Sequence, residues 1–396
     1  MTTNTANLAA VRCAWVTPVL GVDGRLLYLG PLLRVFARCF RSFVVVTGEF
    51  RGDFADTGFS VELCGRFHRM YANERASTNQ IGGYRSGIAL ATPAVLLRFI
   101  RRPVDLLVIN EFSLYACYAA MATLFANRTR VLWLVEARPR PGSSRFLRVA
   151  RVMFRRSLAK LADAFLTNNS DGLDYLVNEL DVDPARVLVQ PFVVSDVSSV
   201  TDERLPRNVA NAEPVRFLYV GQLIRRKGVR VALEAARYVH ERTAVPFILE
   251  IVGDGPDRIE LEEFAASQGI AHLTTFRGRV AYEDLPALYR AAHVFVFPTL
   301  SDYRALAPFE ALSSGLPIIA SRNDGGIAET VNEGRNGFSF DPQRPAELAA
   351  HMEYFVRNPK IVAEFSLHSI ELAKRYTLEA AINALQIAAT AALAKS

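Results

Sequence analysis

Short apolar runs of strand length recur along the whole chain and alternate with stretches of helical periodicity. VRCAWVTP (11–18) and RSFVVVTG (41–48) are nearly continuous hydrophobic runs. The segment LLYLGPLLRVFARCF between them repeats its apolar positions as an amphipathic helix does. LLVINE (106–111), RVLWLVE (130–136) and DAFLTNN (163–169) continue the series, and VLVQPFVVS (187–195) closes it. Strands that are apolar on both faces and separated by helices predict a parallel sheet covered by helices on each side. The polar, proline-containing stretch 195–214 reads as a linker. Beyond it the alternation restarts with VRFLYVG (215–221), PFILEIVG (246–253), LTTFRG (273–278), HVFVFPT (293–299) and LPIIAS (316–321), and helical periodicity runs from about 359 to 394. The pattern predicts an α/β protein of two Rossmann-like, doubly wound parallel-sheet domains, 1–195 and 196–375. A C-terminal helix in 376–396 is expected to pack back towards the N-terminal domain.

Composition narrows the function classes. The chain has 396 residues, 51% hydrophobic and 22% charged, which excludes a disordered chain and a small disulfide-stapled scaffold. Cys13, Cys39, Cys64 and Cys117 show no CxxC or CxxH spacing, so neither a zinc site nor a redox pair is expected and a reducing, cytoplasmic setting fits. The start, MTTNTANLAAVRCAW, lacks the basic and apolar regions of a secretory signal. The charge-free apolar stretches 112–126 and 380–394 fall short of the ~20 residues that a spanning helix needs, so they are expected to be buried helices.

Charge is uneven along the chain. Residues 1–200 carry 24 Lys+Arg against 16 Asp+Glu, and residues 201–396 carry 22 against 24. Eight basic residues and no acidic one lie between Arg138 and Lys160. Among them Arg145, Arg148, Arg151, Arg155 and Arg156 recur at helical spacing, as one basic stripe. Such a stripe is either a solvated helix face or a surface for phosphates, on an anionic membrane or on an acceptor. Nucleic acid is not expected as a partner, because no stacking aromatics alternate with the arginines.

Open α/β sheets bind ligands beyond the carboxyl ends of their strands, so the loops there are the places to look for chemistry. GQLIRRKG (221–228) joins the strand VRFLYVG to a helical run. Gly221 permits a tight turn, the helix offers free amides, and Arg225, Arg226 and Lys227 add cations suited to a diphosphate. GDGP (253–256) lacks the third glycine of a dinucleotide fingerprint, and Asp254 is expected to shape its turn. In the segment 299–326, Asp302 and Glu310 are eight residues apart. Paired carboxylates suit vicinal hydroxyls, and the amides around Arg304, Ala305 and Leu306 suit phosphate. The alternative for this segment is a helix capped by Asp302 with Glu310 on its surface.

The ordered set GQLIRRKGV, IVGDGP, FRGRV, LYRAAHVFVFPTLSDYRALAPFEALSSGLPIIAS and GRNGFSFDP resembles the donor-binding domain of family 4 glycosyltransferases, retaining enzymes of the two-Rossmann GT-B fold. The resemblance runs from about Val215 to about Pro342, and the first half matches in outline only. It implies that Lys227 faces the donor diphosphate, and that Gln222 stands where the family carries an Arg, so that Arg225 or Arg226 is expected to supply that charge. It places Arg279 and Val280, in FRGRV, along the nucleobase, and Glu310 on the ribose. Asp302 takes the place of the Glu that contacts the donor sugar. Lys227, Arg226 and Asp302 are the catalytic candidates; Gly221, Gln222, Arg279, Val280, Arg304, Ala305, Leu306 and Glu310 complete the donor site. The acceptor side is expected to involve Asp23, Gly24 and Arg25, and Glu136, near which many relatives carry a His.

The implied reaction is attack by an acceptor hydroxyl on the donor anomeric carbon, on a saccharide or lipid-linked acceptor of bacterial polysaccharide or glycolipid synthesis. No cofactor and no metal is expected: Asp181–Val182–Asp183 follows an apparent helix and precedes Pro184, which does not suit a metal-binding DxD loop. Peripheral contact with the inner face of an anionic membrane follows from the basic stripe. The rival readings are a sugar-nucleotide epimerase of the same fold and a non-catalytic carbohydrate-binding protein. A dehydrogenase is disfavoured because neither half opens on GxGxxG.

Overall fold

A computed structural model describes residues 8–20, 25–50, 58–71, 87–126, 128–136, 145–192 and 213–394; at 25–29, 31, 67–71, 87–90 and 145–147 it describes the backbone alone. The linker read at 195–214 lies outside these residues except at its last two positions. The chain divides into two compact units. One comprises Met1–Ala72, Ser86–Asp196 and Leu378–Ser396, the other Asn73–Arg85 and Val197–Thr377.

The first unit contains strands β1 (Arg12–Leu20), β2 (Ser42–Phe50), β3 (Ser60–Leu63), β4 (Phe67–Tyr71), β5 (Gly87–Ala91), β6 (Leu106–Asn110), β7 (Arg130–Val135), β8 (Ala164–Thr167) and β9 (Val187–Val189). Seven of them form a parallel sheet in the order β3-β2-β1-β6-β7-β8-β9, while β4 and β5 pair antiparallel. Its helices are α1 (Arg25–Ala37), α2 (Ala94–Arg101), α3 (Leu114–Met121), α4 (Arg145–Ala159) and α5 (Ser170–Asp174). The centre is apolar because β6 and β7 are hydrophobic on both faces: Leu106, Leu107, Val108 and Ile109 are wholly buried, as are Val131 to Val135. Each such side chain contributes roughly 1.5–3 kcal/mol by leaving water.

The second unit contains β10 (Val215–Val220), β11 (Phe247–Val252), β12 (Thr274–Gly278), β13 (Val294–Phe297), β14 (Ile318–Ser321) and β15 (Gly337–Phe340), parallel in the order β12-β11-β10-β13-β14-β15. Its helices are α6 (Val229–Arg242), α7 (Arg258–Ser267), α8 (Leu285–Ala291), α9 (Ala307–Ser313), α10 (Ile327–Thr330), α11 (Pro345–Arg357) and α12 (Ile361–Ala373). The apolar stripe of α6, from Val229 through Ala232, Leu233 and Ala236 to Val239, is buried.

The helical periodicity over 359–394 resolves into two helices. A turn at Lys374–Tyr376 separates α12 from α13 (Leu378–Leu393), and α13 belongs to the first unit, against α1, β7 and β8. Among the described residues no helix is long and apolar enough to cross a membrane.

In both sheets the strand order reverses once, between β1 and β6 in the first and between β10 and β13 in the second. Loops leaving the carboxyl ends of such strand pairs diverge and open a crevice, which fixes where ligands enter a doubly wound sheet.

Candidate active site

At the reversal point of the second sheet, the loop after β10 meets the loop after β13. The first forms a single tight turn, Arg225–Lys227, that ends on Gly228 at φ +68° before α6 begins. A β-carbon at Gly228 would come within 2.0 Å of Pro298 O, so only glycine lets the two loops approach. They are then tied together: Leu300 N–H donates to Arg226 O at 2.9 Å and Thr299 Oγ1 donates to the same oxygen at 3.1 Å. Gly221 does not need a left-handed backbone. Its neighbourhood is crowded, for a β-carbon there would lie 2.6 Å from the Tyr219 hydroxyl.

This junction brings Arg226, Lys227 and Asp302 together. Lys227 Nζ lies 2.6 Å and Arg226 Nη1 2.9 Å from Asp302 Oδ2, and Arg226 Nη1 also donates to Ser301 O at 2.9 Å. Asp302 is 5% exposed, and Lys227 lies over the Phe297 ring at 5.2 Å. Charges this sheltered interact more strongly than a surface pair would, because little water screens them. Beneath them the buried Tyr219 donates its hydroxyl to Gln222 O, and burial together with Asp302 raises its pKa well above the usual tyrosine range.

The three basic residues of the loop divide their work. Arg226 and Lys227 converge on Asp302, whereas Arg225 is exposed and lines a cavity of about 520 Å³ with Asp257, Leu261 and Leu300. The side chain of Gln222 is exposed on the same loop. Asp254 shapes its turn by accepting the Gly255 N–H at 2.8 Å, and its own carbonyl accepts from Leu223 N–H. Arg279, exposed, and Val280 follow β12 at the same end of the sheet.

The capping alternative for the next segment does not hold. Helix α9 starts at Ala307, five residues beyond Asp302, and no side chain caps it. Glu310 is not a surface residue either: it is 7% exposed, and its Oε2 accepts the hydroxyl of the wholly buried Tyr289 at 2.7 Å. The expectation of open amides is corrected at Ala305, whose N–H donates to Asp324 Oδ1 at 3.3 Å. The Arg304 side chain is also committed. Its Nε and Nη2 lie 3.0 and 2.7 Å from the two carboxylate oxygens of Glu329, and the guanidinium sits 4.0 Å over the Phe309 ring. Leu306 immediately precedes α9.

Asp324, Glu329 and Tyr289 thus support the site without having been singled out from the sequence. Asp324 is 1% exposed, and burial, followed by the charge of Asp302, pushes its carboxyl up to about 6. The NDGG run does hold the signal of a tight approach: a β-carbon at Gly325 would lie 1.8 Å from Tyr303 O.

On the first sheet, Asp23 and Gly24 lie outside the described residues, and Arg25 is described only as the backbone start of α1. Glu136 follows β7, and its N–H donates to Glu111 Oε1 at 2.7 Å. Glu111, which the sequence reading passed over, leaves β6 with φ +59°, a left-handed conformation unusual for a non-glycine residue. Burial and then Glu136 raise its carboxyl to about 8, while Arg155 opposes the shift. The basic stripe of α4 is not uniform. Arg148 and Arg151 are exposed, beside exposed Val149, Met153 and Phe154, but Arg155 donates to the Tyr175 hydroxyl and Arg156 to Glu179 O, each at 2.7 Å. Asp183 caps the short turn after it by accepting Ala185 N–H.

The two parallel-sheet units have the architecture of the GT-B fold. Residues 200–372 match the family described as "Glycosyl transferases group 1". The D-inositol 3-phosphate glycosyltransferase of Streptomyces scabiei is 29% identical over 226 residues, 54% of this chain and 50% of that protein. The chain therefore spans about half the length of the curated relatives it matches. The crystal structure of Anabaena HepE (Alr3699) in complex with UDP superimposes with a TM-score of 0.70 at 16% identity, covering 95% of this chain and 98% of that one. The same protein in complex with UDP-glucose gives 0.64 at 14% identity, over 94% and 97%. At these identities the likeness shows the fold.

Proposed function

We propose that the protein transfers a sugar from a nucleotide-sugar donor to a hydroxyl acceptor with retention at the anomeric carbon. The observation that carries this reading is the convergence of Lys227 and Arg226 at the reversal point of the second sheet, inside the group 1 segment. The acceptor oxygen bonds to the anomeric carbon as the bond to the diphosphate breaks. The diphosphate leaves with the electron pair, and the acceptor proton passes to a departing phosphate oxygen. Lys227 and Arg226 would stabilise the negative charge that grows on that leaving group, an effect that preorganised cations supply in the transition state. Glu310, oriented by Tyr289, would accept hydrogen bonds from the ribose hydroxyls. Arg279 and Val280 would lie along the base. UDP and UDP-glucose bound to HepE support a nucleoside diphosphate as the common element.

The acceptor in this reading is a saccharide, a phosphorylated polyol or a lipid-linked sugar. The relatives named for inositol 3-phosphate, with Arg148 and Arg151 exposed on α4, support an acceptor carrying phosphate. Exposed Val149, Met153 and Phe154 beside those arginines support peripheral contact with an anionic membrane instead of free diffusion. The test is incubation with a panel of nucleotide-sugars and candidate acceptors. Release of the nucleoside diphosphate and an anomeric configuration equal to that of the donor, read by NMR, is the result expected. Inversion, or epimerisation of the donor without transfer, would contradict it.

A further inference from the structure

The groups expected to hold a diphosphate are already matched by the chain's own anions. Asp302 Oδ2 accepts from Lys227 at 2.6 Å and lies 2.9 Å from Arg226 Nη1, while Asp324 Oδ1 accepts the Ala305 amide at 3.3 Å. A donor phosphate that takes over these contacts displaces a carboxylate from each of them.

The two residues are also held side by side, and the charge of Asp302 acts on the Asp324 carboxyl. Asp302 and Asp324 form an isolated parallel β-bridge, in which Asp302 N–H donates to Asn323 O at 3.0 Å and Gly325 N–H donates to Asp302 O at 3.1 Å. The loops cannot easily separate, because Gly325 packs directly on Tyr303 O. Asp324 Oδ2 is buried and has no hydrogen-bond partner among the described residues. The other charged and titratable groups here are Tyr219, whose hydroxyl is given to Gln222 O, and Arg304, which Glu329 matches. Lys227 is thus the cation that bears on both carboxylates: it pairs with Asp302 and favours the ionised form of Asp324.

We propose that donor binding at this junction is an exchange of anions coupled to the uptake of a proton. The diphosphate takes Lys227 and Arg226 from Asp302, and the Asp302–Asp324 pair takes one proton from solvent. The reason is electrostatic. Two neighbouring carboxylates do not readily both stay ionised once their shared cation turns to another anion, and the incoming phosphates add negative charge beside them. Asp324, already up to about 6 with Lys227 in place, is the group that receives the proton. This inference rests on the reading of the second unit as the donor domain.

The test is isothermal titration of the full chain with UDP-glucose at pH 7.5, in two buffers of different ionisation heat. Each phosphate of this probe carries one ester and the shared anhydride link, which leaves a single strongly acidic oxygen that stays ionised through the range, so protons that appear or vanish belong to the protein. The wild type should take up about half to one proton per donor bound, and its affinity should fall roughly three- to tenfold per pH unit between 7 and 8. Asp324→Asn keeps an oxygen for the Ala305 amide and should bind with no uptake and a flat pH dependence. Asp302→Asn, which leaves a single carboxylate, should lose the uptake as well, and thermal melts verify that both variants are folded. Donor binding by the wild type with no proton uptake, or with uptake undiminished in Asp324→Asn, would overturn the exchange while leaving the donor site intact. If UDP-glucose, GDP-mannose and ADP-glucose all give no binding heat, the donor reading itself fails, and the exchange falls with it.

Discussion

Arg304 and Glu329, 25 residues apart, form a buried two-point ion pair that pins the loop after β13 to the start of α10. Their side chains are 2% and 6% exposed, so each depends on the other for its charge. Removing one partner strands the second, which typically costs ~3–5 kcal/mol, whereas replacing both with apolar groups of similar volume is far milder. Arg304→Ala is therefore expected to lower the unfolding free energy by about 3–5 kcal/mol, and Arg304→Met/Glu329→Leu to recover most of the loss. Denaturant titration of the three proteins checks this. A loss below ~1 kcal/mol in Arg304→Ala would mean that the pair is not structural.

Tyr289 and Glu310 make a second prediction. If Glu310 holds the ribose equally in ground and transition states, Glu310→Gln should raise KM for donor more than it lowers kcat. Tyr289→Phe leaves Glu310 in place but unoriented, and should shift KM in the same direction by a smaller factor. An unchanged KM in both variants would move the ribose elsewhere.

Glu111 ties stability to pH. Its carboxyl, raised to about 8 by burial and by Glu136, keeps a proton in the folded chain over a range where the unfolded chain has lost it, from the ordinary glutamate value of about 4.5 upwards. The folded state binds more protons in that window, so stability falls as pH rises across it. Glu111→Gln has no such proton to lose. Its melting temperature should gain on that of the wild type from pH 5 to pH 8, and a gap that does not change with pH would show that Glu111 is ionised throughout.

The proposed charge stabilisation by Lys227 and Arg226 makes a further prediction, because a chelator does not touch side-chain cations. Transfer activity should persist in excess EDTA. Its loss on chelation and return with magnesium or manganese would assign that role to a metal.

Much of this architecture was legible in the chain because it is written locally. Eleven of the parallel strands announce themselves as strand-length runs, and the loop 221–228 carries its glycines and cations within eight residues. Weak local signals account for what was missed. Strands β3 and β4 are short and interrupted by polar residues, β5 is a five-residue run of mostly small side chains, and β15 begins on Gly337, whose β-carbon would lie 1.8 Å from Ile318 O. The groups that orient the site are missed for another reason: their partners are remote. Tyr289 reaches Glu310 across 21 residues, and Asp324 reaches Ala305 across 19. Burial of a charge is likewise a property of the fold, so Glu310 resembled a surface residue until α9 packed. The left-handed backbone of Glu111 leaves no trace in sequence, since no glycine marks it.

The proposed function turns on Lys227 and Arg226, at the reversal point of the second sheet, receiving the diphosphate of a nucleotide-sugar. Thermal unfolding of the wild type and Lys227→Ala against a panel of nucleoside diphosphates and nucleotide-sugars, with NAD as control, tests it most directly. A ligand present at one hundred times its dissociation constant adds ~2.7 kcal/mol to the folded state. One base should be selected, its diphosphate and its nucleotide-sugar should both stabilise the wild type, and this stabilisation should be largely lost in Lys227→Ala. Stabilisation by NAD alone, by no nucleotide, or to the same extent in Lys227→Ala would contradict it.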